Sequence, residues 1–347
     1  MNFQVTVLKI LVSYSDGFAV MEDLKRDMAI LATSGREWAD RTKRLAARVP
    51  DLDIFSHGLV ERVSGGWQVT SIEHPAVLAP CRFLERFGAS ITCVQVDPTG
   101  RVDPDDVRRA ITPQTTLISI MHANNEVGTI QPIEEIGEIA REHGIRFHTD
   151  AAQSVGKIST NINELGVDLL SIAGHKLYAP KGVGALYVRG GLELEPLIHG
   201  AGHELGRRAG TESALLAVGL GAASELAQDL APMEHIRALR DKLWHGLQSR
   251  FSDHVVLNGH ATHRLLNTLN VSFVGRIGAD ILGQLSDVAA STGSACHSGR
   301  IELSPVLAAM GVPENIGMGA IRFSLGKFTR SDEVEDVLAR LTAMSSA

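Results

Sequence analysis

From Trp67 onward, short apolar runs that read as strands alternate with stretches whose apolar positions recur every three or four residues. Trp67–Ser71 predicts a strand, Ala76–Phe87 an amphipathic helix closed by Gly88, and Ser90–Val96 a β-branched strand running into the turn Asp97-Pro-Thr-Gly100. Asp103-Pro104 opens a short helix, because a carboxylate caps the first free amides and proline suits the first helical position. A strand Thr116–Met121 and a helix Ile133–His143, closed by Gly144, follow. The runs Ile145–Thr149, Asp168–Ile172 and Val183–Val188 show little polar alternation, as expected of strands covered on both faces, and intervening helices imply right-handed crossovers.

Past Thr211 the pattern becomes helical over Glu212–Leu230 and Met233–Phe251. It then predicts a strand Leu265–Phe273, helices Ala279–Leu285 and Pro305–Met310, a strand Ala320–Leu325, and a last helix capped by Ser331 with Asp332 and Glu333 in its first turn. The expected fold is α/β: a mostly parallel sheet with flanking helices in a large domain, 66–230, and a smaller α+β domain, 231–347. Residues 1–65 stand apart as an atypical N-terminal segment. No internal repeat or low-complexity linker interrupts the order.

The 347 residues are 44% apolar, enough for a large core, and carry a formal charge of −7 with 5% aromatics. No basic stripe offers a nucleic acid a binding surface. The three cysteines, Cys81, Cys93 and Cys296, make neither a disulfide framework nor a CxxC metal hook, so the expectation is no metal and a reducing, cytoplasmic setting. Cys81 and Cys93 are expected in the core. Met1–Val12 lacks the charge order and cleavage site of a secretion signal, and no apolar run reaches the length of a membrane span.

Ligands of parallel α/β sheets sit beyond the carboxyl ends of the strands. Asp150, the tripeptide Gly174-His175-Lys176 and the Asn124-Asn125 loop all fall there. An acid, a lysine, and a cysteine in a loop of small residues are what holding a cationic ring, forming an imine and taking up sulfur would need, a combination that reads as pyridoxal phosphate (PLP) chemistry. Each residue also has a plainer reading. Lys176 could be a solvated loop charge, Asp150 a helix cap, His74 a structural residue before proline, Arg322 an exposed cation, and Cys296 a buried thiol.

The motifs Glu73-His-Pro-Ala-Val-Leu78, Met121-His-Ala-Asn-Asn-Glu-Val-Gly128, His148-Thr-Asp-Ala-Ala-Gln153, Gly174-His-Lys176, Gly210-Thr-Glu212, Ser294-Ala-Cys-His-Ser298 and Arg322-Phe-Ser-Leu-Gly326 resemble, in order, those of the cysteine desulfurases. These are class V aminotransferase-like enzymes of PLP fold type I, and the selenocysteine lyases are close relatives. The resemblance implies L-cysteine as substrate, L-alanine as product, and a persulfide on Cys296 that passes sulfur to an acceptor protein, as in iron–sulfur cluster assembly. It implies Lys176 as the Schiff-base lysine, partly desolvated so that its amine is neutral. Asp150 would then pair with the pyridinium nitrogen, Gln153 with the phenolic oxygen, and His74 with the ring face.

By the same resemblance His175 contacts the cofactor phosphate, and Thr211 reaches it from the other subunit of a homodimer. Arg322 forks onto the substrate α-carboxylate, with Asn125 adding a third hydrogen bond. Cys296 lies in Ala289–Gly299, a run of small residues suited to a sulfur carrier, where His297, if charged, favours the thiolate. Some positions depart from the family. Residues 1–65 do not match, and the usual Ser-Gly-Ala-Thr-Glu phosphate loop is not found; Ala173 stands for a frequent serine and Leu205 for a frequent arginine. Two alternatives therefore accompany the desulfurase reading: a selenocysteine lyase, and a truncated or remodelled relative that binds PLP weakly or not at all.

Overall fold

In the computed structural model, which describes residues 66–292 and 302–345, the apolar runs of the first half lie side by side in one sheet. In chain order the elements are β1 (Gly66–Thr70), α1 (Pro75–Glu85), β2 (Ser90–Val94), α2 (Pro104–Ala110), β3 (Thr115–Ser119), α3 (Ile133–Glu142), β4 (Arg146–Asp150), α4 (Ile162–Leu165), β5 (Leu169–Ala173) and β6 (Gly184–Val188). The sheet order is β2-β1-β3-β4-β5-β6. All neighbours are parallel except β5 and β6. That exception corrects the sequence reading of Val183–Val188, for which a crossover was expected. The segment 174–183 is too short for the crossover a parallel partner needs, so the chain doubles back.

Val69, Ile118, Phe147 and Leu170, one from each of four adjacent strands, are buried, and Ile136, Ala140 and Val107 of α3 and α2 pack with the last three. The expected cap at Asp103 is in place, its Oδ1 accepting from the Asp105 amide at 2.9 Å; His74 supplies one that was not expected, its Nδ1 accepting from Ala76 at 3.1 Å with Pro75 opening α1, and Ser331, expected as a cap, is instead the first residue of the last helix. Cys81 is buried in α1 as expected, but Cys93 is exposed. It sits on β2, the outer strand of the sheet, where the alternation of faces leaves side chains uncovered.

The second half contains α5 (Ala214–Leu226), α6 (Pro232–Phe251), β7 (Val255–Asn258), β8 (Thr268–Phe273), α7 (Gly278–Gly283), α8 (Pro305–Ala309), α9 (Glu314–Gly317), β9 (Ala320–Ser324) and α10 (Ser331–Ser345). The antiparallel sheet β7-β8-β9 packs Val271, Ile321 and Phe323 against Leu239, Leu243 and Leu247 of α6 and against Val334 and Leu338 of α10. Strand β7 was not expected from the sequence, being short and exposed at Val256. The predicted strand from Leu265 begins later, at Thr268. Before that point the backbone bonds to the loop after β3 instead, through Ile130 N to His263 O and Leu265 N to Gly128 O. Among the described residues no helix is long and apolar enough to cross a membrane.

Gly137 in α3 packs so closely on the segment after α4 that an added Cβ would lie 2.5 Å from the Leu165 carbonyl oxygen. Helix propensity alone favours alanine there by about 1 kcal/mol, whereas the clash is with backbone and cannot relax cheaply. Gly137→Ala is expected to lower folding stability by about 1–3 kcal/mol, read as a fall in the urea midpoint; an unchanged or raised midpoint would contradict this packing.

Candidate active site

The site is organised by the register of three parallel strands. Ser119 lies opposite His148, and Asp150 opposite Ser171. The His148 ring joins them, with Nδ1 2.7 Å from Ser119 Oγ and Nε2 2.9 Å from Ser171 Oγ. Burial pushes the imidazole below its ordinary pKa, and the nearby Asp150 carboxylate only partly offsets this. Asp150 ends β4, half-buried, and its Oδ1 accepts from the Ala152 amide at 2.8 Å. The plain local role is thus real, but it is a two-residue turn rather than a helix cap.

One strand over, β5 ends in a single tight turn, Gly174–Lys176, which leaves His175 and Lys176 exposed. Gly174 is required there, since a Cβ would sit 2.7 Å from the Val183 carbonyl. The expectation of a desolvated Lys176 is corrected: the lysine that burial weakens is Lys157, whose pKa falls to about 8 through burial and, secondarily, the nearby Lys176 charge. Its ammonium donates to the Gln153 carbonyl at 2.7 Å. Lys157, Lys176, Lys327 and Asn267 line a cavity of about 290 Å³ whose walls are otherwise largely apolar, including Leu226 and Met233. Asp150, His74 and Arg322 do not line it.

Arg322 lies within β9, opposite Asn270 of β8, rather than at the strand's start. Its Nη1 donates to the Asn125 carbonyl at 2.7 Å, while its Nε is buried without a partner. The Asn125 contact with Arg322 is therefore made by backbone. His74 is exposed at the cap of α1, and Thr211 is exposed in the loop before α5, which Ser213 rather than Glu212 or Thr211 opens. Cys296, with its neighbours Ser294 and His297, lies outside the described residues, as does the segment 1–65.

Two acids that the sequence reading passed over stand inside the motifs it quoted. Glu73, before His74, is fully enclosed: Oε1 accepts from Thr70 Oγ1 at 2.8 Å and from the Met121 amide at 2.7 Å, and Oε2 has no partner. Burial, aided by the Asp150 charge, raises its pKa to about 8 against those two hydrogen bonds, so it is a neutral acid near pH 7. Glu126, after Asn125, accepts from Ser304 Oγ at 2.5 Å. Burial raises its pKa, while Ser304 and the Arg322 charge oppose the rise. A signal was available for both, an acid fixed within a quoted motif, but charge alone does not say that it is buried.

Residues 64–337 match the family described as aminotransferase class-V. Similar curated proteins include the cysteine desulfurase IscS of Dictyoglomus turgidum, 50% identical over 279 residues that span 78% of this chain and 71% of that one. The cysteine desulfurase IscS of Methanosarcina thermophila is 50% identical over 275 residues, spanning 78% and 67%. Among solved structures, a NifS-like protein superposes with a TM-score of 0.75 at 36% identity, covering 83% of this chain and 77% of that one. A structure of SspA in complex with cysteine gives 0.67 at 39% identity, covering 77% and 75%.

Glu73 holds its proton more tightly folded than unfolded. The stability it contributes is therefore complete below its ordinary pKa of 4.5 and is lost as pH rises through about 8. Glu73→Gln keeps the acceptor oxygen and removes the titration. Urea midpoints of the parent and Glu73→Gln, compared between about pH 5 and about pH 8, are expected to diverge, with the parent losing ground as pH rises; parallel curves would show that Glu73 is not a buried neutral acid.

Proposed function

The chain belongs to the aminotransferase class-V family and is a PLP-dependent cysteine desulfurase, and from that premise we propose how its own residues divide the reaction. The observation that carries the assignment is the pair of adjacent strand ends, Asp150 on β4 and the Gly174–Lys176 turn after β5, on the same sheet. The donor set fits the cofactor: a carboxylate held by the Ala152 amide for the ring nitrogen, a free amine one strand away for the aldehyde carbon, and an exposed imidazole at His175 for the phosphate. Bound there, PLP supplies an electron sink for the substrate Cα.

Lys176 would hold the cofactor's aldehyde carbon, and its Nζ, when not so engaged, would take the substrate α-proton. Asp150 would favour a protonated ring nitrogen by its charge, the Gln153 side chain would serve the phenolic oxygen, and His74 would face the ring. Gln153 is steadied from behind by the Lys157 ammonium on its carbonyl. Arg322 takes the α-carboxylate of L-cysteine. Its buried Nε is an unused donor, and its Nη1 is aimed by the Asn125 carbonyl, which supports a fork orientated before substrate arrives.

The Cys296 thiolate then attacks the substrate sulfur. The C–S bond breaks with its electron pair passing to carbon, an S–S bond forms on Cys296, and protonated carbon leaves as L-alanine. The persulfide sulfur goes on to an acceptor protein. Thr211 reaches the phosphate of a second subunit; the exposed Leu205, Leu215 and Val218 around it supply the apolar surface that a homodimer would cover. The division of the chain at 230/231 follows the change from the parallel sheet to the antiparallel one. A cytoplasmic location is part of the same proposal.

The purified protein, loaded with PLP, is expected to be yellow, absorbing near about 420 nm as lysine-bound pyridoxal does, and to be fixed by borohydride at Lys176. Lys176→Ala is expected to lose alanine production by more than about a hundredfold, whereas Cys296→Ala keeps the colour and stops sulfide release. Peptide mapping of the reduced protein decides the tether, and a pyridoxyl label on any lysine other than 176 refutes it.

A further inference from the structure

Just beyond Lys176 the backbone adopts a conformation that a bulky side chain resists. Tyr178 stands at φ +69, in the left-handed region, where the Cβ of an L-residue crowds the following carbonyl. Its neighbours Leu177 and Ala179 are buried, and their amides both donate to the Gly174 carbonyl, at 3.0 and 3.1 Å, closing the turn that carries Lys176. Tyr178 between them is 61% exposed, so burial of its ring does not offset the strain.

The offsetting contact is with the turn that follows β9. The Tyr178 phenol oxygen accepts from the Lys327 amide at 3.1 Å. The Lys327 ammonium lies 4.7 Å from the centre of the Tyr178 ring and 5.0 Å from that of Phe328, and the two rings meet edge to face with centres 6.4 Å apart. Gly326 makes room for the phenol, since a Cβ there would sit 2.9 Å from its oxygen. The receiving turn is itself fixed. Leu325 N donates to the Asn267 carbonyl at 2.9 Å and Asn267 Nδ2 to the Leu325 carbonyl at 3.3 Å, while Gly326 N donates to Thr329 Oγ1 at 3.0 Å. Lys176, Tyr178 and Lys327 line the same cavity.

We propose that Tyr178 is a positioning residue for Lys176: seated on the Lys327 amide, its hydroxyl fastens the lysine turn of the six-stranded sheet to the end of the strand that carries Arg322. The inference rests on the roles assigned above to Lys176 and Arg322, whose relative placement this contact fixes. Tyr178 touches none of the reacting atoms. Strained backbone persists where its surroundings over-determine it, and here a hydrogen bond, a cation over the ring and an edge contact do so. With the hydroxyl unseated the turn is free to relax away from φ +69. Only the fraction of molecules with a seated turn then presents Lys176 correctly, and the apparent affinity for PLP falls by that fraction.

The test titrates PLP into the full chain after hydroxylamine has stripped it of PLP. The readouts are absorbance near about 420 nm and, after borohydride, the pyridoxyl label on the peptide that contains Lys176. Urea midpoints of the PLP-free proteins are measured alongside. Tyr178→Phe keeps the ring and removes the acceptor; it is expected to weaken PLP binding by about fivefold, the size of a neutral hydrogen bond. Gly326→Ala attacks the same contact from the other side. Its φ is not left-handed, so alanine suits the backbone and the methyl displaces only the tip of a side chain. A loss of about fivefold is again expected, with a midpoint close to the parent's.

In the double variant the methyl meets no hydroxyl, so the loss is expected to stay near that of either single change rather than multiply to about twenty-fivefold. Tyr178→Gly, whose residue is at ease at φ +69, is expected to weaken PLP binding by more than about tenfold with no fall in midpoint. Parent-like affinity in both Tyr178→Phe and Gly326→Ala, or losses that multiply in the double variant, overturn the fastening. So does a fall in the Tyr178→Gly midpoint that accounts for its lost affinity, which would reduce Tyr178 to packing. A parent protein that takes no label at Lys176 overturns the assignment of that lysine instead, and the inference with it.

Discussion

The hydrogen-bonded line Ser119, His148 and Ser171, buried at Ser119 and half-buried at the other two, fixes the arrangement on which the rest depends. Parallel strands place their chemistry at one edge only if their register is right, and a slip by one residue turns every side chain to the opposite face. Here a burial-weakened imidazole accepts or donates to a serine on each neighbouring strand, so the register of β3, β4 and β5 is specified by hydrogen bonds as well as by apolar packing. Misplacing β4 would leave those ring nitrogens unmatched in the interior, which is costly. Asp150 and the Lys176 turn are brought to neighbouring positions by that constraint rather than by any contact between them.

A second constraint joins the two sheets. The loop after β3 forms its own bridge, Ala123 to Ile130, and a second one from Thr129 to Arg264. Gly128, at φ +78, presses so closely on Thr268 of β8 that a Cβ would lie 3.1 Å from the threonine Cβ. With Asn270 holding Glu126 and Asn125 holding Arg322, this loop belongs to both sheets at once. The carboxylate-binding arginine is therefore carried by one sheet and aimed by the other.

Much of this was legible in the sequence, for physical reasons that differ by element. Apolar runs marked β4 and β5, although the cover expected on both faces is not seen, since β4 alternates buried with part-exposed positions and β5 buries only Leu170; the helix start at Asp103 was readable because its cap is local, whereas Ser331 is already the first helical residue and its hydroxyl accepts from Lys242. The direction of β6 was not, because it depends on the length of the segment 174–183 rather than on the strand's own residues. Strand β7 was missed since its four residues are amphipathic only in the company of β8. At the site, Asp150 and Lys176 could be placed from strand ends alone. The enclosure of Glu73 and the burial of Lys157 could not, because each arises from neighbours remote in the chain: Met121 and Asp150 for the acid, α5 and α6 for the lysine.

The partly desolvated Lys157 has a chemical consequence of its own. An aldehyde selects among lysines by the fraction of free amine and by reach, and Lys157, whose pKa burial lowers, is not an exposed lysine. Selectivity for position 176 must come from access: Lys157 is committed to a backbone carbonyl inside the fold, while the turn after β5 presents its amine to solvent. Position 176 is thus favoured by presentation, its side chain being exposed at a tight turn while the Lys157 ammonium is held on the Gln153 carbonyl.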